Sequence, residues 1–341
     1  MSTIRDVARH AGVSTMTVSR VINRSGYTSA ATRASVERAI AELGYVPNAV
    51  ARHLRSKVTK TIALVLSDIT NPFFTTIARG VEDVAGPRGF GVMFCNTDED
   101  PGEEMDYLQM LTQRQVDGVL LVPAGSATEP LRLLRSRNVP VVVLDRRVRS
   151  RQVDQVRTDS VADSRLLVSH LTGLGHRRIA MLSGKRTIST ATDRVAGYEL
   201  ALRDAGIPVD PRLVRYGGYG VARGYQMATE VMALDPAPTA LFAANNFIAF
   251  GAIRRMRELR LQVPDDISLV SFDDLPDDWL IDPFLTVVDQ PAYEMGRRAA
   301  ELLLQRVDGA PPHDAQSIVL PGELMVRRST AAPSPRPVAV A

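Results

Sequence analysis

The sequence is poor in cysteine and contains no long apolar run. Cys95 is the only cysteine among 341 residues, so an internal disulfide is excluded and a reducing, cytoplasmic environment is expected. No stretch of eighteen apolar residues exists, so we predict no transmembrane helix and no membrane partner. The N-terminus is polar from Arg5 onward, without the apolar segment that a signal peptide requires.

The sequence also lacks the motifs of common enzyme classes. It has no Gly-x-Ser-x-Gly nucleophile motif, no Gly-x-x-x-x-Gly-Lys-Ser/Thr phosphate loop and no Gly-x-Gly-x-x-Gly after a predicted strand. Histidine and cysteine are nowhere spaced as zinc ligands, so no metal and no cofactor are predicted. The acidic residues Asp273, Asp274, Asp277 and Asp278 are typical of a solvated loop, with a cation site or paired catalytic carboxylates as the alternatives. We therefore expect a binding protein that is not an enzyme.

Positive charge is concentrated at the front of the chain. Residues 1–60 hold ten Lys and Arg against three acids, a net of +7, so the +3 of the whole chain leaves −4 for the remainder. A basic segment on a mildly acidic body is expected where one domain binds a polyanion. A solvated basic surface is the alternative, so the charge needs the support of a motif.

Three short helices are predicted in this basic segment. Ser2 or Thr3 can cap the first, which runs from Ile4 to about His10. Gly12 then lies where a tight turn between helices needs a positive φ. A third helix begins after Ser29 and ends at Gly44.

The second helix, from Thr15 to about Asn23 with Ser14 as its cap, has the polar face of a helix that reads a DNA groove. Its apolar side chains fall on the opposite, inward face. Short hydroxyls near its N-terminus suit phosphate oxygens, Met16 suits a thymine methyl, and Arg20 suits a guanine edge. A plain three-helix packing module is the alternative interpretation.

The run Ala11-Gly-Val-Ser14, followed by Thr17-Val-Ser-Arg-Val-Ile-Asn23, resembles the DNA-binding head of the lactose-repressor (LacI/GalR) family of transcription regulators. The run Leu43-Gly-Tyr-Val-Pro-Asn-Ala-Val-Ala-Arg-His-Leu54 is similar to the hinge helix of that family, and the resemblance extends to about Thr330. It implies that Thr15, Met16 and Arg20 read bases. It assigns contact with the DNA backbone, or support of it, to Ser14, Thr17, Ser19, Asn23, Tyr27 and Ser29.

The resemblance also implies DNA-binding positions in the hinge, namely Asn48, Ala51 and Leu54. Ala51 and Leu54 match residues that enter the minor groove, where Leu54 would act as an apolar wedge that kinks the duplex. Ordinary packing of a linker helix is the alternative for Leu54. A wedge from each of two subunits implies a homodimer on a roughly palindromic double-stranded DNA operator.

The rest of the chain alternates apolar runs with helical patterns. Seven runs are rich in Val, Ile and Leu without polar alternation, which is typical of strands in a parallel sheet covered on both faces: 61–66, 91–95, 118–122, 139–144, 179–182, 240–243 and 267–271. The helical patterns between them imply right-handed crossovers in doubly wound α/β domains. Roughly 270 residues is large for one such sheet, so two similar lobes are expected.

The resemblance implies that these lobes form a core like that of periplasmic binding proteins, in which the chain crosses between lobes near residues 158, 290 and 319. The predicted fold class is therefore an all-α helix-turn-helix head with an α/β core of two doubly wound parallel-sheet lobes. The predicted domains are a helix-turn-helix head at 1–46, a hinge helix and linker at 47–60, and an effector-binding and dimerising core at 61–330. The N-lobe takes 61–157 and 291–318, the C-lobe takes 158–289 and 319–330, and the Pro-rich residues 331–341 are predicted to be disordered.

Polar residues follow several of the predicted strands, which is where open α/β sheets bind ligands. A turn, a helix cap or a surface ion pair can explain each of them singly. The resemblance to the family, and to ribose-type solute receptors, implies that together they form one effector pocket. Its predicted residues are Asn71, Phe73, Phe74, Asp145, Arg146, Thr190, Arg194, Tyr219, Asn245, Asp273 and Gln290.

The residue types of this set suit a sugar. Phe73 and Phe74 can cover the apolar face of a sugar ring, while carboxylate, amide and guanidinium groups pair with vicinal hydroxyls. A purine, or a sugar carrying a carboxylate or phosphate, is the alternative because two arginines belong to the set. The family commonly has Asn-Asp where this chain has Asn245-Asn246, and the missing carboxylate is expected to alter lobe packing or a hydroxyl contact.

The sequence thus predicts a DNA-binding transcription regulator, in the first place a repressor of carbohydrate-utilisation genes, controlled by a small sugar-like effector. Two hypotheses from other classes remain. A solute-binding receptor is opposed by the basic head, and a sugar-processing enzyme is opposed by the missing catalytic motifs.

Overall fold

A computed structural model of the chain describes residues 2–23, 25–46, 58–126, 128–150, 152–275, 283–309 and 315–334. By its internal contacts the chain divides into two compact units, a head up to Thr59 and a body from Lys60 onward. The predicted hinge positions Asn48, Ala51 and Leu54 lie outside the described residues, as do Asp277 and Asp278 of the acidic loop.

The head consists of three helices whose starts are set by side-chain caps. They are α1 (Ile4–His10), α2 (Thr15–Ile22) and α3 (Ala30–Glu42). The hydroxyls of Thr3, Ser14 and Ser29 accept hydrogen bonds from backbone N–H groups in the first turns of α1, α2 and α3. Such caps satisfy donors that have no partner inside the helix. The predicted caps are confirmed.

A small apolar core holds the three helices together. Val7, Val18 and Val36, one from each helix, are fully buried in it. Gly12 and Gly44 have φ values of 67° and 55°, which glycine adopts without steric cost at the turn after α1 and at the end of α3. The spacing of apolar residues in the sequence therefore predicts this core correctly.

The N-lobe of the body is a parallel six-stranded sheet flanked by helices. Its strand order is β2–β1–β3–β4–β5–β11, and every neighbouring pair is parallel. Its strands are β1 (Thr61–Leu66), β2 (Gly91–Asn96), β3 (Gly118–Leu121), β4 (Val141–Leu144), β5 (Asp154–Thr158) and β11 (Ser317–Leu320). Its helices are α4 (Pro72–Ala85), α5 (Pro101–Gln113), α6 (Glu129–Ser136) and α11 (Ala292–Val307), with a 3₁₀ turn at Gly86–Arg88.

The C-lobe repeats this arrangement with the strand order β7–β6–β8–β9–β10–β12. Its strands are β6 (Ile179–Ser183), β7 (Val214–Tyr216), β8 (Ala240–Ala243), β9 (Ser268–Phe272), β10 (Thr286–Asp289) and β12 (Glu323–Met325). Its helices are α7 (Ser160–Gly173), α8 (Ser189–Asp204), α9 (Val221–Met232) and α10 (Asn246–Glu258), with a 3₁₀ turn at Pro211–Leu213. The edge strand β12 runs antiparallel to β10, so this sheet is parallel except at one edge.

The chain crosses between the two sheets three times, after β5, after β10 and after β11. These crossings follow Thr158, Asp289 and Leu320, next to the positions 158, 290 and 319 that the sequence analysis proposed. Each lobe is thus built from separated parts of the chain, and the three crossings lie side by side at the junction of the sheets.

The structure corrects two predictions about the fold. The run at 91–95 is not a buried strand, because β2 forms the edge of its sheet and only Cys95 within that run is buried. The predicted disordered tail does not begin at 331, because Ala331 donates a hydrogen bond to Ser268 and accepts one from His176. Residues 331–334 therefore belong to the described body.

Two pairs of helices cross at close range because glycines meet backbone there. A Cβ atom at Gly80 of α4 would lie 2.2 Å from the carbonyl oxygen of Tyr293, and one at Gly296 of α11 would lie 2.1 Å from that of Ile77. In the C-lobe, Gly224 and Gly251 bring α9 and α10 together in the same way. A side chain cannot enter these crossings unless the helix backbones separate.

We expect Gly80→Ala to lower the free energy of unfolding by about 3 kcal/mol, because the added methyl group meets a backbone carbonyl that cannot rotate away. Equilibrium urea unfolding measures the change. Gly173→Ala at the end of α7 is the matched control, since nothing lies within 4 Å of its Cβ position. There alanine should stabilise the helix by about 0.5–1 kcal/mol. The same loss of stability in both variants would contradict close crossing at Gly80.

Candidate nucleic-acid interface and ligand cavity

Helix α2 turns its predicted base-reading side chains to solvent. Val18 and Val21 are buried against the rest of the head, which fixes the rotation of the helix. Thr15, Met16 and Arg20 consequently lie on the exposed face, and the Met16 side chain is 57% exposed. Met16 in the first turn and Arg20 in the last turn of α2 are both exposed, and an apolar side chain and a guanidinium on one open helix face are suited to a DNA groove.

The predicted supporting residues surround this face. The hydroxyls of Ser14 and Thr17 are 2.9 Å apart, and Asn23 donates to the hydroxyl of Ser19 at 3.2 Å. Ser14 and Ser29 are helix caps, so they have a structural function as well as the predicted DNA contact. Tyr27 is 91% exposed, so its ring contributes little to folding and is available to a partner.

A cavity of about 270 Å³ lies between the two lobes of the body. Its walls are formed at the carboxyl ends of strands, where parallel sheets bind ligands. Ten of the eleven predicted effector residues line it, namely Asn71, Phe73, Phe74, Asp145, Arg146, Thr190, Arg194, Tyr219, Asn245 and Asp273. Because these residues lie at or near the ends of strands, the fold brings positions that are distant in the sequence into one cavity.

Two buried aspartates occupy equivalent positions in the two lobes. Asp145 follows β4 and Asp273 follows β9, and their backbone φ values are 62° and 66°. Asp adopts this left-handed conformation more readily than most residues, yet it remains unusual and clusters at functional sites. Each backbone N–H is bonded to the neighbouring strand, at Val156 and Val288 respectively. Both carboxylates are thus fixed on facing walls of the cavity.

Burial disfavours the ionised form of these carboxylates. Burial raises the pKa of Asp145, and it raises the pKa of Asp273 to about 6, while the positive charge of Arg194 lowers both. One carboxylate oxygen of Asp145 is buried without a hydrogen-bond partner among the described residues. Such an atom is costly to leave unpaired, so a donor from a ligand is expected there.

Arg194 is a buried cation of the cavity that forms no ion pair with a carboxylate of the described residues. Its guanidinium stacks on the ring of Phe272 at 4.0 Å and donates to the carbonyl oxygen of Ala244. Within the described part of the chain no carboxylate forms an ion pair with it, and its buried Nε has no partner. Arg146, by contrast, is paired with Glu99. Arg194 is therefore placed to donate to a ligand.

The aromatic wall and the opposite hydroxyl wall complete the cavity. The rings of Phe73 and Phe74 meet edge to face, with centroids 5.1 Å apart. Across from them, the hydroxyls of Thr190 and Tyr219 are 3.0 Å apart. The ring of Tyr219 lies where a side chain at residue 184 would be, so Gly184 is required for this position.

Gln290 does not line the cavity, which corrects the sequence prediction. Its amide nitrogen donates to the carboxylate of Asp273, and its amide oxygen accepts from Thr158. It therefore stands behind Asp273 at the second crossing between the lobes. Sequence position alone cannot separate a ligand contact from a residue that orients one.

Several lining residues were not in the predicted set. Ser67 and Asp68 follow β1, Asp98 and Glu99 follow β2, and Lys185 follows β6, while Gly218 and Gly220 flank Tyr219. The strand-end rule points to Ser67 and Asp68 after β1, and equally to Asp98 and Lys185, each of which lies two residues beyond the end of its strand.

The described residues hold neither a cluster of metal ligands nor a helix that could span a membrane. No group of three or more His, Cys, Asp and Glu residues there is arranged to hold a metal ion. No helix among those residues has the length and apolar character that crossing a bilayer requires.

Both parts of the chain match models of one protein family. Residues 3–48 match the model described as bacterial regulatory proteins, lacI family, and residues 59–320 match periplasmic binding proteins and sugar binding domain of LacI family. Among full-length relatives, a ribose operon repressor of Halalkalibacterium halodurans is 36% identical over 330 residues, 97% of each chain. The transcriptional repressor PurR of Photobacterium profundum is 34% identical, over 96% of this chain and 98% of its own.

Solved structures agree with these matches. A lac repressor dimer bound to operator and the anti-inducer ONPF has a TM-score of 0.84 and 31% identity, over 97% of this chain and 99% of its own. A LacI family regulator of Enterococcus faecium with bound ribose has a TM-score of 0.72 and 32% identity, over 80% of this chain and 99% of its own.

We expect Asp273→Asn to stabilise the protein at neutral and alkaline pH. Because burial raises the pKa of Asp273 from 3.8 to about 6, the stability of the protonated form is full below pH 3.8 and is lost as the pH rises through about 6. Asparagine keeps the acceptor for Gln290 without the charge. The variant should gain about 3 kcal/mol over the unmodified protein at pH 8 and no more than about 1 kcal/mol at pH 4.5. Urea unfolding at both pH values measures this, and a gain independent of pH would contradict it.

Proposed function

The chain belongs to the LacI family of bacterial regulatory proteins, and we propose that it is a transcriptional repressor whose operator affinity is set by a sugar-like molecule in the cavity. The observation that carries this proposal is that one chain combines a groove-reading helix with a polar cavity closed by two lobes. Neither a receptor without DNA function nor an enzyme accounts for both. We assign no catalytic step to the cavity, since members of the family are transcription regulators.

On the DNA side, Thr15, Met16 and Arg20 read bases in the major groove. Two copies of α2 in a homodimer would bind successive half-sites of a palindrome, about one helical turn apart. The hinge positions Asn48, Ala51 and Leu54 would enter the minor groove between the half-sites. Support for the dimer comes from the lac repressor dimer on its operator, which this chain resembles along nearly its whole length.

On the ligand side, the charges of the cavity favour a neutral polyol. Five carboxylates line the cavity against three cationic side chains, so an anion would meet a net negative wall. Carboxylates accept hydrogen bonds from hydroxyls, and the unpartnered oxygen of Asp145 requires such a donor. The aromatic edges of Phe73 and Phe74 suit the apolar face of a sugar ring. A cavity of about 270 Å³ fits a monosaccharide.

A pentose is the first candidate ligand of the cavity. One relative is a ribose operon repressor, and another was solved with bound ribose. Arg194 keeps a sugar acid or a purine as the second candidate, because its guanidinium can pair with a carboxylate or a ring acceptor. If a ligand changes the affinity of the protein for the operator by some factor, operator binding changes the affinity of the protein for that ligand by the same factor.

The DNA interface is tested by selecting duplexes from a random palindromic library and measuring their affinity at two salt concentrations. We expect tight binding that weakens steeply with salt, because Lys and Arg displace counterions from phosphates. Arg20→Ala should cost about 1–3 kcal/mol and relax base preference at one position of each half-site.

Arg38→Ala on α3 is the matched control, since Arg38 is also exposed but lies on another helix. It should alter the salt dependence and leave the base preference intact. If the full-length protein binds no selected palindrome, the proposed function is wrong. If Arg20→Ala keeps the original base preference, Arg20 does not read a base.

The cavity is tested by a thermal-shift screen of pentoses, hexoses, sugar acids and nucleobases. A ligand present at 100 times its Kd should stabilise the protein by about 2.7 kcal/mol through mass action. Arg194→Ala should abolish that shift and the response of operator binding to the ligand, while operator affinity without ligand stays nearly unchanged. Arg254→Ala, an exposed arginine on α10, is the control and should keep both. A retained response in Arg194→Ala would place the ligand elsewhere.

A further inference from the structure

Two buried asparagines join the lobes directly. Asn71 immediately precedes α4 of the N-lobe, and Asn246 is the first residue of α10 of the C-lobe. The amide nitrogen of Asn71 donates to the amide oxygen of Asn246 at 3.0 Å, and the reverse bond measures 3.1 Å. The two residues are 3% and 0% exposed, so no water competes for these bonds.

Each amide oxygen also accepts a backbone hydrogen bond at the start of its own helix. The oxygen of Asn71 accepts from Phe73 N at 3.1 Å, and the oxygen of Asn246 accepts from Phe247 N at 2.8 Å. Every oxygen is therefore used twice, and both amide groups act as donor and acceptor across the lobe boundary. A carboxylate at either position would keep the helix contact but could not donate, and one of its oxygens would face the other residue's oxygen.

The pair fixes the two helices that carry the cavity walls. Phe73 and Phe74 lie in the first turn of α4, and Asn245 directly precedes α10. If the lobes moved apart, Asn71 and Asn246 would separate, and these walls with them. The amide pair and the cavity are consequently parts of one closed arrangement.

Further polar contacts between described residues of the two lobes lie at the exposed rim of the cleft. Arg147 of the N-lobe is paired with Asp193 of α8 at 2.8 Å, and Lys185 donates to the carbonyl oxygen of Glu99 at 3.1 Å. The side chain of Arg147 is 42% exposed. Exposed pairs of this kind contribute little because water screens them, whereas the buried amides keep their full hydrogen-bond strength.

We propose that the Asn71–Asn246 pair is a latch that holds the two walls of the cavity in place before any ligand binds. Asn246, which does not line the cavity, is then a positioning residue of the site. The latch sets ligand affinity, because a ligand that binds only the closed arrangement loses affinity in proportion as that arrangement becomes less populated. An effect of the latch on operator binding rests on the proposed function. The effect of the latch on the closure of the lobes does not depend on it.

The test measures the distance between the lobes in full-length protein without ligand or DNA. Spin labels at Glu103→Cys and Ala222→Cys report on opposite sides of the cavity mouth, since both side chains are exposed and lie close in sequence to the lining residues Glu99 and Gly220. Double electron–electron resonance, with labelled chains diluted into unlabelled protein, gives the distance within one chain.

We expect one narrow, short distance when the latch is intact. Asn71→Asp and Asn246→Asp should each add a longer distance and raise the ratio of open to closed protein about tenfold, because a hydrogen bond is lost and two oxygens face each other. The double variant should open further, since two carboxylates repel. Asn246→Ala, which introduces no buried charge, should also open the cleft and serves if an Asp variant unfolds.

Asn96→Asp is the matched control, because Asn96 accepts from Ile69 N and donates to Asp98 within the N-lobe alone. It undergoes the same chemical change and should leave the distance unaltered. The proposal is overturned if the distance distribution of Asn246→Asp and Asn246→Ala equals that of the unmodified protein. It is also overturned if the control opens as far as they do. The distance is measured without DNA, so the test of the latch gives its result even if the protein binds no operator.

Discussion

The strongest constraint on the body of this protein is the need to hold charged groups between two sheets, away from water. Parallel strands direct their carboxyl ends to one edge, and here two such edges face each other. Asp145 and Asp273 lie there in left-handed backbone conformations, and backbone strain and the desolvation of their carboxylates each raise the free energy of the folded chain. The ring of Phe272 under Arg194 and the amide of Gln290 behind Asp273 hold these groups in place. A polar ligand would supply the hydrogen bonds that the buried oxygen of Asp145 and Nε of Arg194 do not form with the described residues.

The head follows a different physical logic, because its structure is local. Each of its helices begins at a hydroxyl cap, and one buried valine from each helix makes the core. Burying one face of α2 necessarily presents the other face to solvent, so folding uses one side of these eight residues and the proposed DNA contacts use the other. The core of the head is made of its own residues, so a substitution in the cavity of the body leaves that core unchanged.

In the body, close approach of backbone packs one pair of helices tightly in each lobe. The glycines at the crossings of α4 with α11 and of α9 with α10 let helices pack with no side chain between them. Rigid lobes are required if a small change in the cleft is to be passed on, since soft lobes would absorb it. The three crossings of the chain, together with the Asn71–Asn246 pair, then carry whatever motion the lobes make relative to each other.

The sequence alone determined the features that depend on neighbours in the chain. Caps at Ser14 and Ser29, glycine turns, and strands such as Thr61–Leu66 and Ala240–Ala243 follow from local hydrogen bonding and from uninterrupted apolar runs. The strand-end rule, with the family resemblance, also identified most of the cavity. Tertiary structure decided the rest. It made β2 an edge strand and ordered Ala331, and it moved Gln290 behind Asp273. Asn246 gained a partner 175 residues away, which no local pattern can encode, because hydrogen bonds between distant residues depend on the packing of whole lobes.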